Sequence, residues 1–149
     1  MKLRLYLDTS VFSAYYDDRL LDRQTLTEDF WKRLGDFEIS TSELAKQELD
    51  QSPDPEQRAR FERLFSGFIV HAVTDEMKEL ARHYVDAGVF SPASFNDALH
   101  VAAAVLTRQD VLLSWNFRHL VNRRRRARVN EVNISRALPT IEILAPPEI

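Results

Sequence analysis

The sequence predicts an α/β domain, a parallel sheet covered on both faces by helices. Three observations carry this. Short apolar or alternating runs take turns along the chain with helical segments. The helical segments are punctuated by turn and cap residues. No repeat, linker or low-complexity stretch interrupts the 149 residues, so residues 1–149 form one domain.

The elements follow in order. "LRLYLD" (3–8) suits a first strand ending at Asp8. Thr9-Ser10 could cap a helix, and "TLTEDFWKRLG" places Leu26, Phe30 and Leu34 at helical spacing with Gly35 as a stop. "FEIS" (37–40) is a short strand, followed by a helix from about Ser42 to Leu49. Pro55 is placed to begin the next helix, 56–66. "FIVHAV" (68–73) reads as a strand, and the helix after it starts at Thr74, with acids in its first turn, and stops at Gly88. The apolar helix "SFNDALHVAAAVL" (94–106) comes next. "DVLLSW" (110–115) is a buried strand, an arginine-rich segment follows, and "PTIEIL" (139–144) is the last strand.

Composition excludes several classes. The absence of cysteine removes disulfides and thiolate metal sites and fits a cytoplasmic home. The apolar run at the N-terminus is too short and broken for a signal peptide, and no segment approaches the ~20 apolar residues of a membrane helix, so no membrane is expected. Only three glycines are present, and no phosphate-cradling loop of the G-x-G-x-x-G or Walker type exists. Net charge is −3, yet "RHLVNRRRRAR" (118–128) packs six arginines into eleven positions, where a polyanion would be met.

In open parallel sheets, ligands bind beyond the carboxyl ends of the strands. That rule selects Asp8 and the Ser114-Trp115-Asn116 turn. Asp8 could equally be an N-cap, and Asn116 a turn or cap residue. In the helix "SELAKQELD", at about 100° per residue, Leu44, Ala45 and Leu49 centre an apolar face. Glu48 falls inside that face, whereas Glu43 points away and is explained by the helix dipole. Glu48 either serves a site or snorkels from the edge of the face. Asp97 borders the stripe of Ala98, Val101, Ala102 and Val105; with Ser94 it also fits a capping box. Thr9 and Ser114 could hydrogen-bond neighbouring carboxylates. Three carboxylates brought together would repel unless a cation joined them, and an all-oxygen set suits Mg²⁺ or Mn²⁺. Metal-dependent phosphodiester hydrolysis is the chemistry these residue types allow.

"LDTSVF", "TSELAKQEL", "NDALHVAAA" and "LLSWNFRHLVN", in that order, resemble the PIN domain family, and most of all the small prokaryotic members that include the VapC toxins. The resemblance implies a three-layer α/β/α fold around a mainly parallel sheet and a ribonuclease dependent on Mg²⁺ or Mn²⁺. It implies Asp8, Glu48 and Asp97 as acidic metal ligands, with Thr9 and Ser114 as small hydroxyl residues near the site. The family's fourth acid falls on Asn116, which could still ligate or orient a water but brings no charge. The resemblance further implies the toxin of a type II toxin–antitoxin pair, an RNA substrate, a protein antitoxin and a homodimer. The rival expectation is a non-catalytic nucleic-acid-binding or scaffold protein whose acidic site has decayed at Asn116.

Other features are weighed from the residues alone. Arg123, Arg124, Arg125 and Arg126 are either a solvated loop or an RNA phosphate-binding edge. His100, His119 and Trp115 are read as structural, His100 as a packed or solvent-edge histidine. Phe30, Trp31, Leu34, Phe61, Leu64 and Phe65 form core stripes or a partner-facing surface.

Overall fold

A computed structural model describes residues 1–149. Five strands alternate with seven helices: β1 (Arg4–Leu7), α1 (Thr9–Tyr15), α2 (Leu21–Trp31), β2 (Glu38–Ser42), α3 (Glu43–Asp50), α4 (Pro55–Leu64), β3 (Ile69–His71), α5 (Asp75–Asp86), α6 (Phe95–Leu106), β4 (Val111–Leu113), α7 (Arg123–Ser135) and β5 (Glu142–Leu144). The strands form one sheet in the order β3-β2-β1-β4-β5, and every pairing is parallel. Leu5, Tyr6 and Leu7 of β1 and Leu112 and Leu113 of β4 are fully buried, as central parallel strands covered on both faces must be.

Chain direction sets the layers. From β1 the chain steps outward to β2 and β3, then returns to the other side of β1 for β4 and β5. Right-handed crossovers therefore put α1–α4 on one face and α5–α7 on the other. The result is the expected three-layer α/β/α architecture. Phe12 of α1 anchors the first face, stacking on Phe65 at 4.7 Å and meeting Trp31 and Phe68 edge-on at 5.7 Å. Phe30, Phe61 and Phe65 are buried, and Trp31, Leu34 and Leu64 pack on that core, so the aromatic stripes are core. On the second face, the small residues Ala98 and Ala102–Ala104 let α6 lie close against the sheet and α5. No helix is long and apolar enough to cross a membrane.

The order of strands reverses between β1 and β4, which makes a crevice at their carboxyl ends. Register then decides which residues meet there. Leu7 pairs with Leu113, so Asp8 and Ser114 leave the sheet side by side, and the Asp8 N–H donates to the Leu113 carbonyl at 3.2 Å.

Several local expectations are corrected. Ser94 does not cap α6: it ends a 3₁₀ turn (Pro92–Ser94) with φ −101° and ψ 24°, outside the extended region an N-cap needs, and its side chain makes no cap bond. Gly35 does not stop α2, which ends at Trp31; the glycine lies in a separate 3₁₀ turn. Thr9-Ser10 are not the cap of α1, because Asp8 is. The arginine run is not a loop but opens α7, capped by the Asn122 side chain on the Arg125 N–H. Strand ends shift by one to three residues, as frayed ends do.

Candidate active site

Asp8, Glu48, Asp97 and Asn116 come from four separate parts of the chain and line one cleft of about 630 Å³. Asp8 follows β1 and is buried; its Oδ1 accepts from the Ser10 N–H at 3.0 Å, which is the N-cap of α1, and from the Ser10 hydroxyl. Its Oδ2 accepts from the Ser114 hydroxyl, which in turn accepts the Asn116 N–H at 2.9 Å. Capping α1 thus does not take Asp8 out of the cleft. Its carboxyl is pushed above the usual carboxylate range by burial; the nearby His100 and the two serine bonds oppose this, and Asp97 adds to it.

Glu48 faces the cleft, as helix geometry predicts. Its Oε1 accepts from the Thr9 hydroxyl at 2.9 Å and lies 2.6 Å from Nε2 of His100. A carboxylate only accepts, so Nε2–H faces Glu48, an assignment made from this bonding pattern. On the other side of the ring, Nδ1 meets the Tyr6 hydroxyl at 2.8 Å, and that hydroxyl meets Ser42 Oγ at 2.7 Å. A buried chain Ser42–Tyr6–His100–Glu48 therefore runs from the sheet to the cleft. Burial pushes Glu48 up, but the bonds from His100 and Thr9 and the charge of His100 outweigh it and hold the carboxyl below its ordinary value.

Asp97 sits in the first turn of α6, half-buried, and is pushed up by burial; His100 and His119 oppose the shift and Glu48 adds to it. Asn116 turns its amide toward this carboxylate, Nδ2 lying 3.5 Å from Oδ1, while its Oδ1 accepts the His119 N–H at 2.9 Å. The amide stands where a fourth charge would have raised the repulsion.

Two raised carboxylates beside a third are a donor set that fits a hard cation. No three acidic or imidazole side chains converge tightly enough to enclose an ion among themselves. Such a cleft suits an ion like Mg²⁺ that keeps several waters and touches one or two carboxylates.

The arginine run stands apart from the cleft lining. Arg123 and Arg124 are exposed at the start of α7, and Arg125 lies over the Phe90 ring at 4.5 Å, close enough to Asp97 to feel its charge. The basic residues in the cleft wall are Arg23 and Arg118, of which Arg23 draws no notice from the sequence. His100 is packed, as expected, but the sequence does not announce the bonds its ring makes to Tyr6 and Glu48. The hydroxyl of Tyr6 in an otherwise apolar strand was the available signal, since a buried phenol needs a partner.

This architecture, with its acidic cleft at the β1/β4 crevice, is the PIN-type α/β/α fold. No family model matches the chain, and no curated protein matches it by sequence. Solved structures do match it in three dimensions. VapBC-1 from nontypeable Haemophilus influenzae is similar with a TM-score of 0.64 at 16% identity, covering 97% of this chain and 99% of that one. VapBC2 from Rickettsia felis, bound to a DNA fragment from its promoter, gives 0.59 at 13% identity over 96% of this chain and 98% of that one. Mycobacterium tuberculosis VapC20, a sarcin-ricin loop cleaving toxin, gives 0.56 at 20% identity over 72% of this chain and 86% of that one. At these identities the likeness is one of fold.

Proposed function

We propose that this chain is a metal-dependent endoribonuclease acting in the cytoplasm as the toxin of a type II toxin–antitoxin pair. The observation that carries the reading is the meeting of Asp8, Glu48 and Asp97 in one cleft at the carboxyl ends of β1 and β4. The toxin role draws support from the VapBC and VapC20 structures that share the fold.

Asp8 and Asp97 would hold Mg²⁺ or Mn²⁺ by one or two direct bonds, with Glu48 reached through the ion's waters. When bound, such an ion supplies charge neutralisation for a phosphodiester and lowers the pKa of a water. The chain's own groups do the positioning. Ser10 and Ser114 fix both oxygens of Asp8. Thr9 and His100 both bond Oε1 of Glu48, and Oε2 has no hydrogen-bond partner in the protein. Asn116 orients Asp97 without adding charge. Arg23 and Arg118 in the wall, and Arg123–Arg126 beyond it, would meet RNA phosphates without reading sequence. A protein antitoxin and a homodimer belong to the same reading; the exposed Leu20, Leu21 and Leu26 of the α2 region offer apolar surface for protein contact.

The test is cleavage of a panel of structured and single-stranded RNAs in Mg²⁺, Mn²⁺ or EDTA. Cutting that needs the ion is expected. Intact RNA under every condition, with RNA still bound, would favour the scaffold reading.

A further inference from the structure

Two aromatic residues, Trp115 and Phe117, line the cleft. They flank Asn116 in sequence, and their rings lie 6.1 Å apart, edge to face. Trp115 is buried and fixed at both ends. Its indole N–H donates to Thr27 Oγ1 at 2.9 Å, and its backbone N–H donates at 2.8 Å to Ser10 Oγ, the same hydroxyl that bonds Asp8. Phe117 is 47% exposed, a large ring left in water. The guanidinium of Arg23 lies 5.0 Å from the Trp115 ring and 5.8 Å from that of Phe117. It enters no ion pair, whereas Asp17 in the same wall is paired with Arg19. A second hollow, of about 570 Å³ and lined by Leu20, Leu21 and Leu26 beside Arg19, Asp22, Arg23 and Trp115, adjoins the cleft through Leu20, Arg23 and Trp115.

We infer that Arg23, Trp115 and Phe117 form a nucleobase platform, which takes the base of a single-stranded RNA nucleotide next to the phosphate held at the carboxylates. The inference rests on the ribonuclease reading above. An exposed aromatic ring and a planar guanidinium are the two surfaces on which unpaired bases stack. A cation in the wall of an acidic cleft, outside any salt bridge, also lowers the repulsion that a polyanion would meet there. The platform is rigidly joined to the acids, because Ser10 ties Trp115 to Asp8 and Phe117 follows the residue that bonds Asp97. A base has a π-face whatever its identity, so the platform sets the position of the cut strand and tolerates its sequence.

The experiment is fluorescence polarisation of a short fluorescein-labelled single-stranded RNA on the full-length chain, with Ca²⁺ in place of Mg²⁺ to keep the RNA intact. Phe117→Ala should weaken binding about 5- to 100-fold, and Phe117→Trp should restore it. An abasic nucleotide, moved along the RNA, should cost the wild type affinity at one position and cost Phe117→Ala nothing there. Equal thermal midpoints would show that the variants fold. If wild type and Phe117→Ala bind the RNA equally, the platform is overturned while the ribonuclease reading stands, and the ring is left to a protein partner. If the wild type neither binds nor cuts RNA, the ribonuclease reading fails and takes the platform with it.

Discussion

Replacing Tyr6 by Phe removes one oxygen from the centre of the fold and leaves the ring in place. That oxygen bonds Ser42 Oγ at 2.7 Å and His100 Nδ1 at 2.8 Å. Tyr6, Ser42 and His100 are all buried, so no water replaces the lost partner. Each lost bond is worth about 0.5–1.5 kcal/mol, and a buried group left without a partner costs about 1–3 kcal/mol. Phe fills the same space, so no cavity adds to the loss. The variant should be about 2–3 kcal/mol less stable, read as a lower urea midpoint with an unchanged slope. For a chain of this size that is a fall of roughly 5–10 °C in thermal midpoint. His100 would also lose the bond that fixes its ring, and Glu48 its oriented partner. On the proposed role of Glu48 in holding the metal, RNA cleavage should then drop about 10- to 100-fold, the usual effect of freeing a group that orients a metal-site carboxylate. A stability loss under about 0.5 kcal/mol with full cleavage would refute the buried chain.

Further outcomes follow from the same geometry. Asp8 and Asp97 have raised carboxyls, so their stabilising contribution is present below the ordinary carboxylate pKa and is lost as pH rises through their folded values. Glu48 is lowered and works the other way, contributing above its ordinary value and losing that contribution as pH falls through the folded one. Without divalent ions the thermal midpoint should fall as pH rises from about 4 toward 7, Mg²⁺ should reverse the fall, and Asp97→Asn should flatten it; equal midpoints with and without Mg²⁺ at neutral pH would contradict this. Asn116→Asp exchanges an amide that donates toward Asp97 for a repelling charge, so it should lower the midpoint in EDTA and enlarge the gain from Mg²⁺. Arg123→Glu with Arg124→Glu should flatten the salt dependence of single-stranded RNA binding by about 1.4 in log–log slope, if each arginine meets one phosphate; an unchanged slope would remove α7 from the RNA surface.

Much of this was legible in the sequence for physical reasons. Alternating strands and helices fix a parallel sheet, and a parallel sheet fixes where a ligand binds, which singles out Asp8 and the Ser114–Asn116 turn. Glu48 was separable from Glu43 because helix angle puts it beside Leu44, Ala45 and Leu49, the residues that are buried. What stayed hidden depends on contacts between distant residues. His100 finds its partners at Tyr6 and Glu48, 94 and 52 residues away, and a lone histidine has no spacing to announce that. Four consecutive arginines masked the period of α7, whose buried face is only Val129 and Asn133. The Ser94 capping box failed because Pro92 opens a 3₁₀ turn just before α6 and sets the Ser94 backbone in the wrong region. A motif of side chains holds only where the backbone permits it.

The most direct measurement of the central claim is the rate of RNA cleavage against Mg²⁺ concentration for wild type and Asp97→Asn, with circular dichroism showing both folded. Saturable, Mg²⁺-dependent cutting by the wild type and its loss in Asp97→Asn is the predicted result. Equal cutting by the two proteins would contradict the claim and leave Asp97 as a half-buried acid in the first turn of α6, with no part in the chemistry.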